Sequence, residues 1–183
     1  MSKEQRGESW DLYRWQWAAD GAIEHYKNSR FREMNLLLDG VPSDLQPYAK
    51  AAFITWLPEQ AVSETAPLIQ ILNDAIAGIK RADAPADDKH GWYFSLLRAT
   101  VKYQPADANA VLKDAIASLN QSKDVQPLDA TDWLKYLGPS LIQMDEFVVK
   151  DALASITPVP ARAQLRLALL DVTLQRLKPA SRN

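Results

Sequence analysis

One phrase occurs three times in this chain, as Leu72-Asn-Asp-Ala-Ile-Ala-Gly-Ile79, Leu112-Lys-Asp-Ala-Ile-Ala-Ser-Leu119 and Val149-Lys-Asp-Ala-Leu-Ala-Ser-Ile156, with starts 40 and 37 residues apart. A period of that length suits one pair of helices per unit. Such a unit cannot bury its apolar side alone, so neighbouring units must stack on a shared core. Within each phrase the apolar residues recur at three and four rather than at two, which is the spacing of a helix with one buried side.

The remaining sequence carries the same pattern. Eleven prolines and six glycines divide the chain into segments of helical length. The periodicity predicts about nine helices, over 9–28, 30–38, 44–57, 64–81, 88–103, 107–120, 130–143, 145–156 and 160–177, and almost no strand. Ser43-Asp44, Asp88 and Thr131-Asp132 are expected to cap helix starts, because their side-chain oxygens can accept from the first free backbone amides. Gly40 and Pro42 close the second helix. Gly138-Pro139 leaves three options open: a kink, a helix end followed by a new start, or a short extended piece.

The expected organisation is a polar N-terminal tail over 1–8, one helical domain over 9–177 and a C-terminal tail over 178–183. A chain of 183 residues can remove roughly 70% of its unfolded surface from water. With 47% apolar and 24% charged residues, it has the profile of a domain that folds unaided. A net charge of −2 argues against nucleic acid as a partner, since phosphate binding needs a concentrated positive surface. No apolar run approaches the ~18 residues of a membrane span, so membrane insertion is not expected. The polar start, Met1 to Glu8, has no apolar core of a secretory leader, and the compartment stays open. Without cysteine there are no disulfides or thiolate sites. Asn120-Gln-Ser122 fits a glycosylation sequon of a kind that arises by chance.

A second echo joins Leu38-Asp-Gly-Val-Pro42 and Tyr48-Ala-Lys-Ala-Ala-Phe53 to Ala154-Ser-Ile-Thr-Pro158 and Arg162-Ala-Gln-Leu-Arg-Leu167: a helix end, a proline turn and a new apolar helix. On these phrases the chain resembles the α-solenoid class of tetratricopeptide-like and HEAT-like helical repeats, loosely over 30–177. The resemblance implies an all-α fold in which antiparallel helix hairpins stack as an α-α superhelix. Its units are longer than the ~34 residues of a tetratricopeptide repeat, so no groove residue is carried over.

Chemistry-bearing motifs are scarce. The sequence contains no phosphate-cradling glycine loop, nucleophile elbow or zinc-protease helix, and neither catalysis nor a cofactor or metal is expected. Asp87, Asp88 and His90 are the one local cluster of ligand types, and they read as a charged helix start. His25 reads as a surface histidine. Asp74, Asp114 and Asp151, one in each repeated phrase, read as a solvated edge beside the buried stripe.

The two terminal helices are more telling. At 100° per residue, Trp10, Tyr13 and Trp17 fall within ~60° of one another, while Leu12, Trp15, Ala19, Ile23 and Tyr26 lie opposite. The first face packs inside the domain, meets a partner or second copy, or met a preceding repeat. In the last helix Ala163, Leu167, Leu170, Leu174 and Leu177 form one stripe, and Leu165, Ala168, Leu169 and Val172 another, with Arg162, Arg166 and Arg176 between them. The expectation is a non-catalytic protein-binding or scaffolding module with Trp10, Tyr13 and Trp17 as first contact candidates and the three arginines as second. The alternatives are a segment of a longer solenoid, a self-associating subunit, or an enzyme with an unrecognised helical site.

Overall fold

The computed structural model of the protein describes residues 3–84, 86–122 and 137–177. Among the described residues it contains nine α-helices, one 3-10 turn and no strand. Two compact units divide the chain, Met1–Asp83 and Ala84–Asn183.

The first unit holds α1 (Lys3–Lys27), α2 (Phe31–Asp39), α3 (Gln46–Trp56), the 3-10 turn Glu59–Ala61 and α4 (Thr65–Arg81). α1 begins at Lys3 rather than at residue 9; the added residues, Lys3 to Glu8, are Lys, Glu, Gln and Arg apart from Gly7, and the former favour helix without any apolar period. It ends where Ser29 adopts a left-handed φ of 55°, and the Ser29 and Arg30 amides fold back onto the Tyr26 and His25 carbonyls. α1 packs on α2 and α3, and α3 on α4. Tyr26 is fully buried at the centre. Its ring stands edge-on to Phe31 and Phe53, at centroid distances of 5.6 and 5.7 Å. Its hydroxyl donates to the Glu64 carbonyl and accepts from the Glu64 amide, tying the end of α1 to the start of α4.

The expected cap at Ser43-Asp44 is not formed. Residues before α3 instead make a turn in which Leu45 and Gln46 donate to the Pro42 carbonyl, so the helix starts later, at Gln46, with Pro47 in its first turn. Gly40 closes α2 as expected; a β-carbon there would stand 2.8 Å from the Leu36 carbonyl oxygen.

The second unit holds α5 (Ala86–Tyr103), α6 (Ala108–Gln121), α7 (Gly138–Leu141), α8 (Glu146–Ala154) and α9 (Val159–Leu177). Gly138-Pro139 opens the single-turn α7, with the proline at a position where its missing amide costs nothing. The Thr131-Asp132 cap and the first half of the helix expected over 130–143 lie outside the described residues. α5 packs on α6, α6 on α8, and α9 on α7 and α8. Asp145, not anticipated from sequence, caps α8 by accepting from the Phe147 and Val148 amides at 2.9 and 3.1 Å. Asn120 at the end of α6 donates to the Ser155 carbonyl and accepts from the Thr157 amide, at 2.9 and 2.8 Å, and so holds the α8–α9 turn.

The first two repeated phrases lie in α4 and α6, and the third starts in α8 and runs past its end at Ala154, leaving Ser155 and Ile156 in the turn to α9. Each buries its first, fourth and eighth residues: Leu72, Ala75 and Ile79; Leu112, Ala115 and Leu119; Val149, Ala152 and Ile156. Small residues on this face let the neighbouring backbone come close. Gly78 is the tightest case, since a β-carbon there would lie 2.7 Å from Pro47 Cγ and 2.9 Å from Pro47 Cβ.

Two glycines in helix interiors therefore have opposite expected responses. Gly78→Ala gains helix propensity of ~1 kcal/mol but forces a stiff ring away, an overpacking cost of ~1–3 kcal/mol; it should lower the urea midpoint. A β-carbon at Gly91 meets nothing within 4 Å, so Gly91→Ala should raise stability by ~0.5–1 kcal/mol. Tyr26→Phe keeps both ring contacts but strips the Glu64 backbone of its partner, and should cost ~1–3 kcal/mol in the same unfolding measurement.

Candidate functional site

α1 presents two different faces. Ala18, Ala19, Ala22, Ile23 and Tyr26 are buried against the rest of the first unit, and Trp15, on the same side, lies 5.9 Å from Trp56 ring to ring. On the other face Tyr13 and Trp17 are 49% and 59% exposed. Those two side chains are thus not fully buried within the first unit. Trp10 belongs to the same helix, but its side chain lies outside the described residues.

The exposed face continues past Trp17. One turn on is Gly21, where a β-carbon would touch Leu37 Cδ1 at 2.9 Å; Leu37 of α2 therefore lies over α1 next to Trp17 in register. Leu37, Leu36 and Trp56 are all substantially exposed, and the sequence reading nominates none of them. A signal was available: three successive leucines, Leu36 to Leu38, span too wide an arc of one helix to be buried together, and it is Leu38 that reaches the core.

The arginine candidates belong to the second unit. Along α9, Arg162 is half-buried and Arg166 exposed, while the Arg176 side chain lies outside the described residues. Each of the two candidate sets is confined to its own unit.

Several titratable groups are engaged with the protein itself. His90, expected at a solvated helix start, is buried, with Nδ1 3.0 Å from the Ala86 carbonyl oxygen and its ring edge-on to Phe94; the Asp87 and Asp88 side chains lie outside the described residues. Among the described residues no group of three or more histidines and carboxylates is placed to hold a metal ion, and no described helix is long and apolar enough to cross a membrane. The repeated acids are not equivalent. Asp74 pairs at 3.1 Å with Lys50, which also reaches Asp39 at 3.0 Å. Asp114 lies near Tyr93, and Asp151 is exposed.

Burial alone would lower the pKa of Lys50; the hydrogen bonds and charges of Asp39 and Asp74 outweigh it and hold the ammonium above its ordinary value. Burial, aided by the Asp114 charge, pushes the Tyr93 phenol up to about 12. A group whose folded pKa exceeds its unfolded one contributes fully below the unfolded value and loses that contribution as pH climbs through the folded one. Both groups therefore act in the same direction. The urea midpoint should hold up to the ordinary tyrosine value of 10.0 and fall toward pH 12. Tyr93 accounts for roughly 2–3 kcal/mol of that fall. Tyr93→Phe should show a visibly flatter decline over the same range.

No family model matches the chain, and no curated protein or solved structure does so either.

Proposed function

We propose that the chain is a helical-repeat module of paired, stacked helices that binds protein partners and performs no chemistry of its own. The repeat reading draws support from the three phrases, which bury the same three positions, eight of the nine residues within α4, α6 and α8 and Ile156 just past the end of α8. It also draws support from Pro47 at the start of α3 meeting Gly78 near the end of α4, the meeting that an antiparallel hairpin makes.

The observation that carries the binding reading is the outward face of α1. Tyr13 and Trp17 stand in solvent while the opposite side of the same helix is core, and exposed aromatic patches of this kind mark protein contact sites. Trp and Tyr are also the residues on which interface energy concentrates. Trp10 extends the face by sequence position. Arg162, Arg166 and Arg176 form the second candidate surface, suited to an acidic partner.

Because both side chains are largely outside the core, Tyr13→Ser/Trp17→Ser should leave the melting temperature within about 3 °C of wild type, as surface substitutions do. It should also weaken a partner captured by wild-type protein by tenfold or more, the loss of about 1.4 kcal/mol or greater typical of hot-spot residues. Calorimetric titration of the captured partner into both proteins checks this. Equal affinity would remove the α1 face from the interface, and a collapse in melting temperature would return it to the core.

A further inference from the structure

The exposed stripe of α9 lies on a different helix, in a different unit, from the α1 face. α9 buries Ala161 and Leu165 against its unit, and Ala163, Leu167, Leu170, Leu174 and Leu177 run along the helix about 180° away from them. Leu167, Leu170 and Leu174 are 60%, 54% and 50% exposed. Their spacing alternates four, three, four, three. Over two heptads that is a seven-residue repeat with two apolar positions, a spacing that suits a seam between two helices wound around each other as well as a packed face.

Placing Leu167 and Leu174 at a, and Ala163, Leu170 and Leu177 at d, fixes the flanks. Arg166 then falls at g, and Asp171 at e of the following heptad. In a parallel two-stranded coil, g of one helix meets e of the next heptad on its partner. Two copies of this helix therefore set position 166 against 171 twice, with opposite charges each time. The remaining flanks, Gln164 and Thr173, are neutral, so no like charges are brought together. An antiparallel pairing sets g against g and e against e and leaves these pairs unmade.

We infer that α9 is a parallel homodimerisation helix: a second copy of this chain covers the Ala163–Leu177 stripe in register. This stands apart from the partner-binding reading of α1, since it uses a different helix in a different unit, and either can fail without the other.

The test uses the full chain in sedimentation equilibrium from about 1 to 100 µM, a range that brackets a micromolar interface. Wild type is expected to approach twice its 20.5 kDa mass. Leu170→Glu should raise the dissociation constant about tenfold or more, because it places a charge in the seam. Phe147→Ser, at an exposed position on α8, should leave it unchanged. Arg166→Glu should weaken the dimer and Arg166→Glu/Asp171→Arg should restore it. Circular dichroism of each variant separates loss of the dimer from loss of the fold. In this cysteine-free chain, Leu167→Cys should crosslink to its own counterpart on oxidation, as only a parallel pair aligns identical a positions. A monomer throughout the range, an assembly of another size, a folded Leu170→Glu variant with unchanged dimer affinity, no rescue by the charge swap, or no crosslink would each overturn the proposal.

Discussion

A helix of nine to eighteen residues is barely stable alone in water, because a costly nucleus is spread over few hydrogen bonds. Each helix of that length here, α2 to α6 and α8, exists because one side of it is pressed against a neighbour. That requirement explains the repeated phrase. Positions one, four and eight supply the buried stripe, and the alanine at position four is small enough to let the facing helix approach. Where approach is closest even alanine is too large, and glycine occupies the site, as Gly78 does over Pro47. The Asp at position three is free to vary in role, since it lies beside the stripe: it pairs with Lys50 in α4, sits near Tyr93 in α6 and faces solvent in α8.

Apolar stripes pack helices but do not say how the chain turns between them. A few polar side chains fix the joints. Tyr26 reaches from α1 to the backbone at Glu64, Asn120 spans from α6 to the α8–α9 turn, and Asp145 starts α8. Each satisfies backbone groups that would otherwise lose their partners at a helix end. Asn120 shows how such a joint redefines a motif. Its side-chain amide, the atom a glycan would modify, already donates to Ser155, and its carbonyl oxygen already accepts from Thr157. Attachment there would leave one Nδ2 hydrogen, which must stay on Ser155 if the turn is to persist.

Helix positions were legible because a buried stripe leaves a local trace, every three or four residues, that needs no knowledge of what covers it. The ends of α2, α4 and α6, and the division of faces along α1 from Trp15 to Tyr26, were read in this way. What sequence left obscure depends on residues far apart in the chain. Nothing local marks Asn120 as the partner of residues 155 and 157, or Lys50 as the bridge between Asp39 and Asp74. The Ser43-Asp44 cap was misread for a related reason. Pro42 offers its carbonyl to two successive amides, and that turn consumes the residues which would have begun the helix. His90 was expected in water because its neighbours in sequence are charged, yet its position in α5 turns it toward Phe94. The candidate surface was half legible: Tyr13 and Trp17 could be separated from the core face by angle alone, whereas the exposure of Leu37 depends on where α2 crosses Gly21.

The allocation of side chains bears on function as much as on fold. His90, Lys50, Asp74 and Tyr93, each of a type able to move protons or hold charge, are engaged with the protein itself, by burial, hydrogen bonds or opposite charges. Among many exposed charged residues, the outward-facing side chains also include large apolar ones: Tyr13, Trp17, Leu36 and Trp56 in one unit and Leu167, Leu170 and Leu174 in the other. Exposing such groups gains nothing for the isolated chain, since each forgoes about 1.5–3 kcal/mol of burial. Scattered apolar residues on a surface need no explanation, but two ordered stripes, each directly opposite a packed face of its own helix, do.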